Sequence, residues 1–294
     1  MASMNTHLVI IDPQNDFCDL PENYRPALPG ASGARRAPAL PVDGAHADMQ
    51  RIAALIERGG AGLDAITVTL DSHQHVDIAH PTFWQQGDGS AVAAFTQIAA
   101  SDVRAGRYLP RQAAALPRVL AYLEALAARD RYAHMVWPVH CEIGTWGHNV
   151  HEDLRLAYNR WEEARVGCVT KVFKGTNPWT EHYSALQAEV PDAGDAATQL
   201  DTAFITRLQQ ADRVLIAGEA GSHCVKATTE DIVANFAPAD RGKLVLLTDC
   251  MSPVAGFAAQ YAAFIEDMRV RGVRIATAAE VLPELQANAG DKSR

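Results

Sequence analysis

With 294 residues, 48% apolar and 21% charged, the chain is long enough to bury a sizeable core as one large α/β domain or two small ones. Its 35 acidic residues outnumber 26 basic ones, for a formal net charge of −9, and no Lys/Arg cluster interrupts this balance, which argues against a nucleic-acid or anionic-membrane partner. No run approaches the ~18 apolar residues of a membrane span, no cationic segment followed by an apolar one opens the chain, and five cysteines, odd in number and without a CxxC pair, fit reduced thiols in a cytoplasm.

The chain alternates short apolar runs with helical patterns. His7 to Ile11 (HLVII) reads as strand one, ended by Asp12-Pro13. A helix over Asp48 to Glu57 carries Ile52, Leu55 and Ile56. Ala65 to Leu70 (AITVTL) is strand two, ended by Asp71. A long Ala/Leu-rich helix covers Gln112 to Arg129, and Ala133 to Trp137 is strand three, ended by Pro138. Asn149 to Trp161 is helical, and Cys168 to Phe173 is strand four, ended by Lys174-Gly175. After a helix over Asp201 to Gln210, Val214 to Ala217 is strand five, Val225 to Asn235 a helix, and Lys243 to Thr248 strand six. A helix over Ala258 to Arg271, an edge strand over Val273 to Ala276 and a helix over Ala278 to Gln286 complete the chain. Apolar strands alternating with helices imply an α/β fold with a mostly parallel sheet covered on both faces. Three stretches break the rhythm, 20–41, 82–110 and 177–194. Loops this long act as lids, binding loops or subunit contacts, or are disordered insertions. We treat residues 1–294 as one domain carrying them.

Ligands of an open parallel sheet bind outside the carboxyl ends of its strands. Those ends carry Asp12, Asn15, Asp16 and Phe17 after strand one, and Asp71, His73, His75 and His80 after strand two. Trp137, His140 and Cys141 follow strand three, Lys174 follows strand four, and Cys224 follows strand five. Each has an ordinary explanation alone: an Asp caps a turn, a Lys is solvated, a Cys packs. Together they place a nucleophile, an acid–base group, a cation and a metal-ligand set on one edge. Cys224 sits where a strand turns into a helix, where unpaired N–H groups and the helix dipole favour a thiolate and can hold an oxyanion. Asp71 and His73, two apart past a strand, can face one metal, with His140 as a third ligand; Zn²⁺ suits such a set, as do Fe²⁺ and Mn²⁺. The competing explanation is a His-rich loop held by hydrogen bonds, and the reading leaves His75 and His80 undecided.

These residues resemble the isochorismatase-like cysteine hydrolases, and within them the nicotinamidase branch. The resemblance rests on VIIDPQNDFC (Val9 to Cys18), TLDSH (Thr69 to His73), WPVHCEIGTWG (Trp137 to Gly147), FKGTNPWTEHYSA (Phe173 to Ala185) and GEAGSHCVKAT (Gly218 to Thr228), in family order over roughly Leu8 to Pro253. It implies a three-layer α/β/α fold with sheet order 3-2-1-4-5-6, a triad of Asp12, Lys174 and Cys224, and a cis peptide before Ala220. Three features depart from the family. Position 79, where nicotinamidases often carry a further metal His, is Ala, with His80 beside it. The segment from His80 to Trp137 is longer, and Glu219 replaces an aliphatic residue, with the potential to place a carboxylate near the pocket.

The implied reaction is hydrolysis of a small carboxamide C–N bond. Asp12 takes the thiol proton, Lys174 stabilises the thiolate and keeps Asp12 ionised, and Cys224 attacks. The N–H groups of Ala220 and Cys224 bind the oxyanion, and ammonia leaves a thioester for water to hydrolyse. Phe17, Trp137 and Tyr183 can sandwich a planar ring, or simply pack. One divalent metal ion, Zn first and Fe or Mn as alternatives, is the expected cofactor, a small carboxamide the expected partner, and a homo-oligomer is compatible. The alternatives are a metal-free isochorismatase-type or other small-molecule hydrolase and a scaffold whose site has decayed. The Asp–Lys–Cys set and the metal ligands weigh against both.

Overall fold

A computed structural model describes residues 3–30 and 33–292; of the 20–41 stretch, Ala31 and Ser32 lie outside the described residues. In chain order the strands are β1 (Thr6–Ile11), β2 (Ala65–Asp71), β3 (Trp84–Gln86), β4 (Thr96–Gln97), β5 (Tyr108–Pro110), β6 (Met135–Val136), β7 (Thr170–Lys174), β8 (Arg213–Gly218), β9 (Leu244–Leu247) and β10 (Arg274–Ala276). The α-helices are α1 (Ala45–Gly59), α2 (Ala100–Arg104), α3 (Leu116–Arg129), α4 (Glu152–Arg165), α5 (Thr202–Gln209), α6 (Cys224–Ala234), α7 (Ala258–Val270) and α8 (Ala278–Lys292).

Six strands form the central sheet in the order β7-β2-β1-β8-β9-β10, every pair parallel. Counted in chain order among themselves, these six run 3-2-1-4-5-6, as expected. Successive side chains of a strand point to opposite faces. Because β1 and β9 are buried at every residue, and β8 at all but its first, both faces of the sheet need cover. Helix α1 packs on α4 and α8, and α6 on α7, to supply it. From β1 the sheet grows through β2 to β7 on one side and, after β7, through β8 to β10 on the other, so the carboxyl end of β1 is the topological switch point where such sheets hold ligands.

One strand expectation needs correction. The run 133–137 does not enter the sheet. Only Met135–Val136 is extended, and it pairs antiparallel with Thr96–Gln97. The insertion takes up its backbone groups. Phe95 N–H donates to Val136 O, Ile98 N–H to His134 O, and Trp137 N–H is spent on Ala79 O. The place beside β2 belongs instead to β7, and the suspected edge strand becomes the sixth strand, β10. Nor is the 82–110 insertion disordered. With α3 it builds a second core around Phe83, Trp84, Ile98, Val103 and Leu123, separate from the main one.

At the end of β8 the chain approaches β1 too closely for a side chain. Gly218 has φ +117°, and a Cβ there would lie 2.0 Å from the carbonyl oxygen of Ile11. Gly218→Ala should therefore cost on the order of 2–4 kcal/mol, read as a lowered urea midpoint at unchanged slope. A variant within about 0.5 kcal/mol of the parent would contradict this account of the β1–β8 contact.

Candidate active site

The carboxyl ends of β1, β2, β7 and β8 converge on one buried cation. Lys174, the last residue of β7, stands directly opposite Asp71, the last of β2. Its side chain is 1% exposed, and Nζ donates to Asp71 Oδ1 at 3.0 Å, to the carbonyl of His182 at 2.8 Å and to Cys224 Sγ at 3.6 Å. An ammonium has three protons, so these acceptors use them all. Asp12 Oδ2 lies 2.9 Å from the same Nζ, close enough for charge attraction but without an aligned hydrogen bond. That oxygen has no hydrogen-bond partner among the described residues, and the Cys224 thiol lies within hydrogen-bonding reach of Asp12. The other oxygen of Asp12 accepts from Thr69 Oγ1 at 2.6 Å, while Asp12 N–H donates back to Thr69 Oγ1 at 3.0 Å. This clamp holds Asp12 at φ 45°, a left-handed conformation that Asp tolerates better than most residues.

Burial and charge set the proton positions. Burial opposes charge on Lys174, yet Asp12 and Asp71 outweigh it and keep the ammonium. Burial also raises Asp12, against the pull of Lys174. The Cys224 thiol is raised as well, chiefly by burial and then by Asp12 and Asp71, with Lys174 opposing. Burial thus works against the thiolate that the helix start and Lys174 favour. A dipole acting over one turn does not offset complete burial beside two carboxylates. The thiol keeps its proton within reach of a carboxylate whose own affinity for protons is increased, a suitable pairing for proton transfer. Lys171, by contrast, points out of the site, 34% exposed, toward Glu162 and the ring of Tyr158.

Cys224 opens α6, and the Glu219–Ala220 peptide bond before it is cis. Among the described residues neither the Ala220 nor the Cys224 N–H has an acceptor, so both are available to an oxyanion. Ala220, Cys224, Phe17, Trp137, Tyr183 and His140 all border one cavity. Its volume is about 20 Å³, room for one water, so a planar ligand enters only if the walls move. Phe17 meets His140 edge-on, and the Trp137 indole N–H donates to Tyr183 Oη at 3.0 Å. A larger groove of about 770 Å³, beside Tyr24, Trp146 and Phe173, has no nucleophile and lies apart from this convergence.

The metal expectation gains a residue. His73, His80 and His140 each present a ligand atom within 4.8 Å of the others, all buried. Asp71 Oδ2 lies 3.1 Å from His73 Nε2 and 3.3 Å from His140 Nε2. His140 comes from a loop rather than from a neighbouring sheet strand. That loop runs alongside His73, whose N–H and carbonyl bond to Cys141 O and Ile143 N–H. Asp16 holds it from below, accepting Cys141 N–H at 2.8 Å. His80 arrives through a turn at Asp77, whose carboxylate accepts Ala79 N–H and whose carbonyl accepts His80 N–H. The other carboxylate oxygen of Asp77 lies 3.1 Å from His73 Nδ1 and orients that ring. The exposed His75 pairs with Glu142 and takes no part.

Sequence reasoning missed three further contributors. Gln14 pairs its side-chain amide with both backbone groups of Asp71, extending β1 by one rung. Asp77 is the second. Glu181 borders the cavity with Oε2 buried and without a partner. Its only signal was a carboxylate inside the Lys174–Tyr183 segment. Glu219, expected near the pocket, instead turns toward α1 and is not among the cavity walls.

No family model matches the chain, and no curated protein matches it. Solved structures do. It is similar to an Acinetobacter baumanii nicotinamidase/pyrazinamidase (19% identity, 95% of this chain and 98% of that one, TM-score 0.59). It is also similar to the L. infantum PnC1 protein in complex with nicotinate (20% identity, 95% and 96%, TM-score 0.55). A third is an isochorismatase-like hydrolase from Alkaliphilus metalliredigens (15% identity, 95% and 98%, TM-score 0.51). The chain thus has the isochorismatase-like fold.

Burial opposes a charge on His73, but Asp71 and Asp77 raise its proton affinity well above the ordinary value, whereas His80 is pushed down to about 2, mainly by burial. Metal uptake at neutral pH should therefore release a proton from His73, and affinity should fall as pH drops. His80→Ala should lose metal as fully as His140→Ala, and Asp77→Ala should weaken binding about 10- to 100-fold. Metal content by mass spectrometry and proton release in weakly buffered titration check both. Full metal retention in His80→Ala would remove it from the site.

Proposed function

We propose that the protein is a metal-dependent cysteine amidohydrolase, cleaving the C–N bond of a small planar carboxamide through a thioester and releasing ammonia. The observation that carries this reading is Cys224 Sγ beside Lys174 Nζ, with Asp12 Oδ2 open to receive the thiol proton. Asp12 takes that proton as Cys224 forms its bond to the carbonyl carbon. The N–H groups of Ala220 and Cys224 receive the oxygen as it gains charge. Asp12, now neutral, returns the proton to the departing nitrogen and then accepts one from the water that opens the thioester. Throughout, Lys174 keeps its charge and balances whichever of Asp12 and Sγ is ionised.

Asp71, His73, His80 and His140 suit a divalent transition metal, since they bring imidazole nitrogens and a carboxylate together in a buried pocket and His80 is kept neutral. Bound there, the ion supplies a Lewis acid and a site for a ring nitrogen or water. Phe17 and Trp137 border the space beside it and would flank a ring. The nicotinate complex of the L. infantum protein favours a pyridine carboxamide, because nicotinate is the acid that nicotinamide hydrolysis yields.

Cys224→Ala should lower ammonia release from nicotinamide and pyrazinamide by more than about 10³-fold while metal content and melting temperature hold. Lys171→Ala should behave as the parent. Exhaustive chelation should remove activity and zinc restore it. Turnover that survives chelation would replace this reading with a metal-free cysteine amidase, and turnover that survives in Cys224→Ala would reject the nucleophile.

A further inference from the structure

Glu219 adjoins the Ala220 N–H, yet its side chain leaves the site and enters a second polar cluster behind it. The residue is fully buried. Its Oε2 accepts the Ser252 N–H at 3.1 Å, and Oε1 has no donor. Ser252 Oγ donates to Asp48 Oδ2 at 2.6 Å, and Asp48 Oδ1 is held by Arg51 at 2.6 Å. The same Ser252 accepts the Gly221 N–H through its carbonyl at 2.8 Å. Glu219 and Gly221, one on each side of Ala220, are therefore both tied to Ser252, and Ser252 is tied to α1. Two residues on, Val254 is bound to the elbow by its N–H to Ser222 Oγ at 3.0 Å and borders the cavity.

The proton inventory then closes in one way. An ionised Glu219 would place a buried carboxylate against Asp48, with a single N–H to stabilise it, which is costly. A neutral Glu219 could give its proton to Asp48, which lies within hydrogen-bonding reach, while accepting from Ser252, and would leave no buried carboxylate oxygen without a role. Asp48 is the one to stay ionised, because Arg51 pairs with it. Burial, then Asp48, raises Glu219 well above the ordinary carboxyl range. The other titratable groups facing the pair are Asp19 and Cys18 after β1, Asp249 and Cys250 after β9 and Tyr261 on α7. Among the described residues none of these is a cation, and Arg51 is the cation paired with Asp48.

We propose that Glu219 is a positioning residue: as a neutral acid bridging Asp48 on α1 and Ser252 after β9, it fixes the Ala220 N–H for the oxyanion and Val254 at the cavity wall. Its positioning role rests on the amidohydrolase reading; its protonation does not. Loss of the proton at alkaline pH sets two buried carboxylates against each other, opens the bridge and lets Ala220 drift. A misplaced oxyanion donor lowers the rate of the chemical step more than it lowers binding.

Two arms test this. The first needs no activity: the infrared difference between the parent and Glu219→Gln at neutral pH should show one protonated carboxyl C=O stretch, lost on raising pH. Its absence overturns the neutral acid. The second is kinetic. Glu219→Ala should lower kcat about 10- to 100-fold with KM within about twofold. Glu219→Gln, which still donates to Asp48 and accepts from Ser252, should restore kcat at neutral pH and abolish the alkaline loss seen in the parent. An unchanged kcat in Glu219→Ala, or the same alkaline limb in parent and Glu219→Gln, overturns the positioning role. If the parent turns over no carboxamide, the functional reading fails, and the infrared arm still decides the state of Glu219.

Discussion

Everything at the carboxyl edge of the sheet depends on one buried ammonium. Lys174 is shared by Asp12 at the end of β1 and Asp71 at the end of β2, so three adjacent strands end on a single ion. Without it, two fully buried carboxylates would face each other, and breaking such a pairing typically costs about 3–5 kcal/mol. The sheet order makes the arrangement possible. Putting β7 next to β2 sets Lys174 level with Asp71, and putting β8 next to β1 starts α6 within reach of Asp12. The desolvation cost of these charges has to be met by the apolar core beneath, where β1, β8 and β9 are covered on both faces.

The same constraint explains why local rules misjudge the thiol. A cysteine at a helix start beside a lysine reads as a thiolate, and the geometry of both features is present. The lysine is, however, already committed to two carboxylates. What remains for Sγ is one distant proton, 3.6 Å away, in a fully buried setting that disfavours an anion. A deprotonated sulfur arises only when the proton has somewhere to go, and the open oxygen of Asp12 is that place.

How much of this was legible in the sequence follows the same physics. The strand ends were readable, because an apolar run stopped by Asp, Lys or a Gly-rich turn has few alternatives, and Asp12, Asp71, Lys174 and Cys224 all stand where those ends place them. The run 133–137 was misread because a short buried apolar segment looks alike whether its backbone bonds to a sheet or to an insertion. Only the insertion's own core, built on Phe83 and Trp84, shows which. His80 was left undecided because one residue of offset is absorbed by the Asp77 turn, which spacing alone does not reveal. Side-chain direction was likewise invisible for Glu219: it follows a strand end, but the elbow turns it toward α1.

Asp71 connects the two halves of the site. One oxygen holds Lys174, and the other faces His73 and His140. The carboxylate is held well below its ordinary value despite burial, because His73 and Lys174 both favour its charge. A cation on the histidine side competes with Lys174 for the same carboxylate. His73 and His140 would hold such a cation together with Asp71, and its charge would then act on the same carboxylate that Lys174 holds. The histidine set and the Asp–Lys–Cys set, legible in the sequence as two neighbouring groups, thus share one side chain, Asp71.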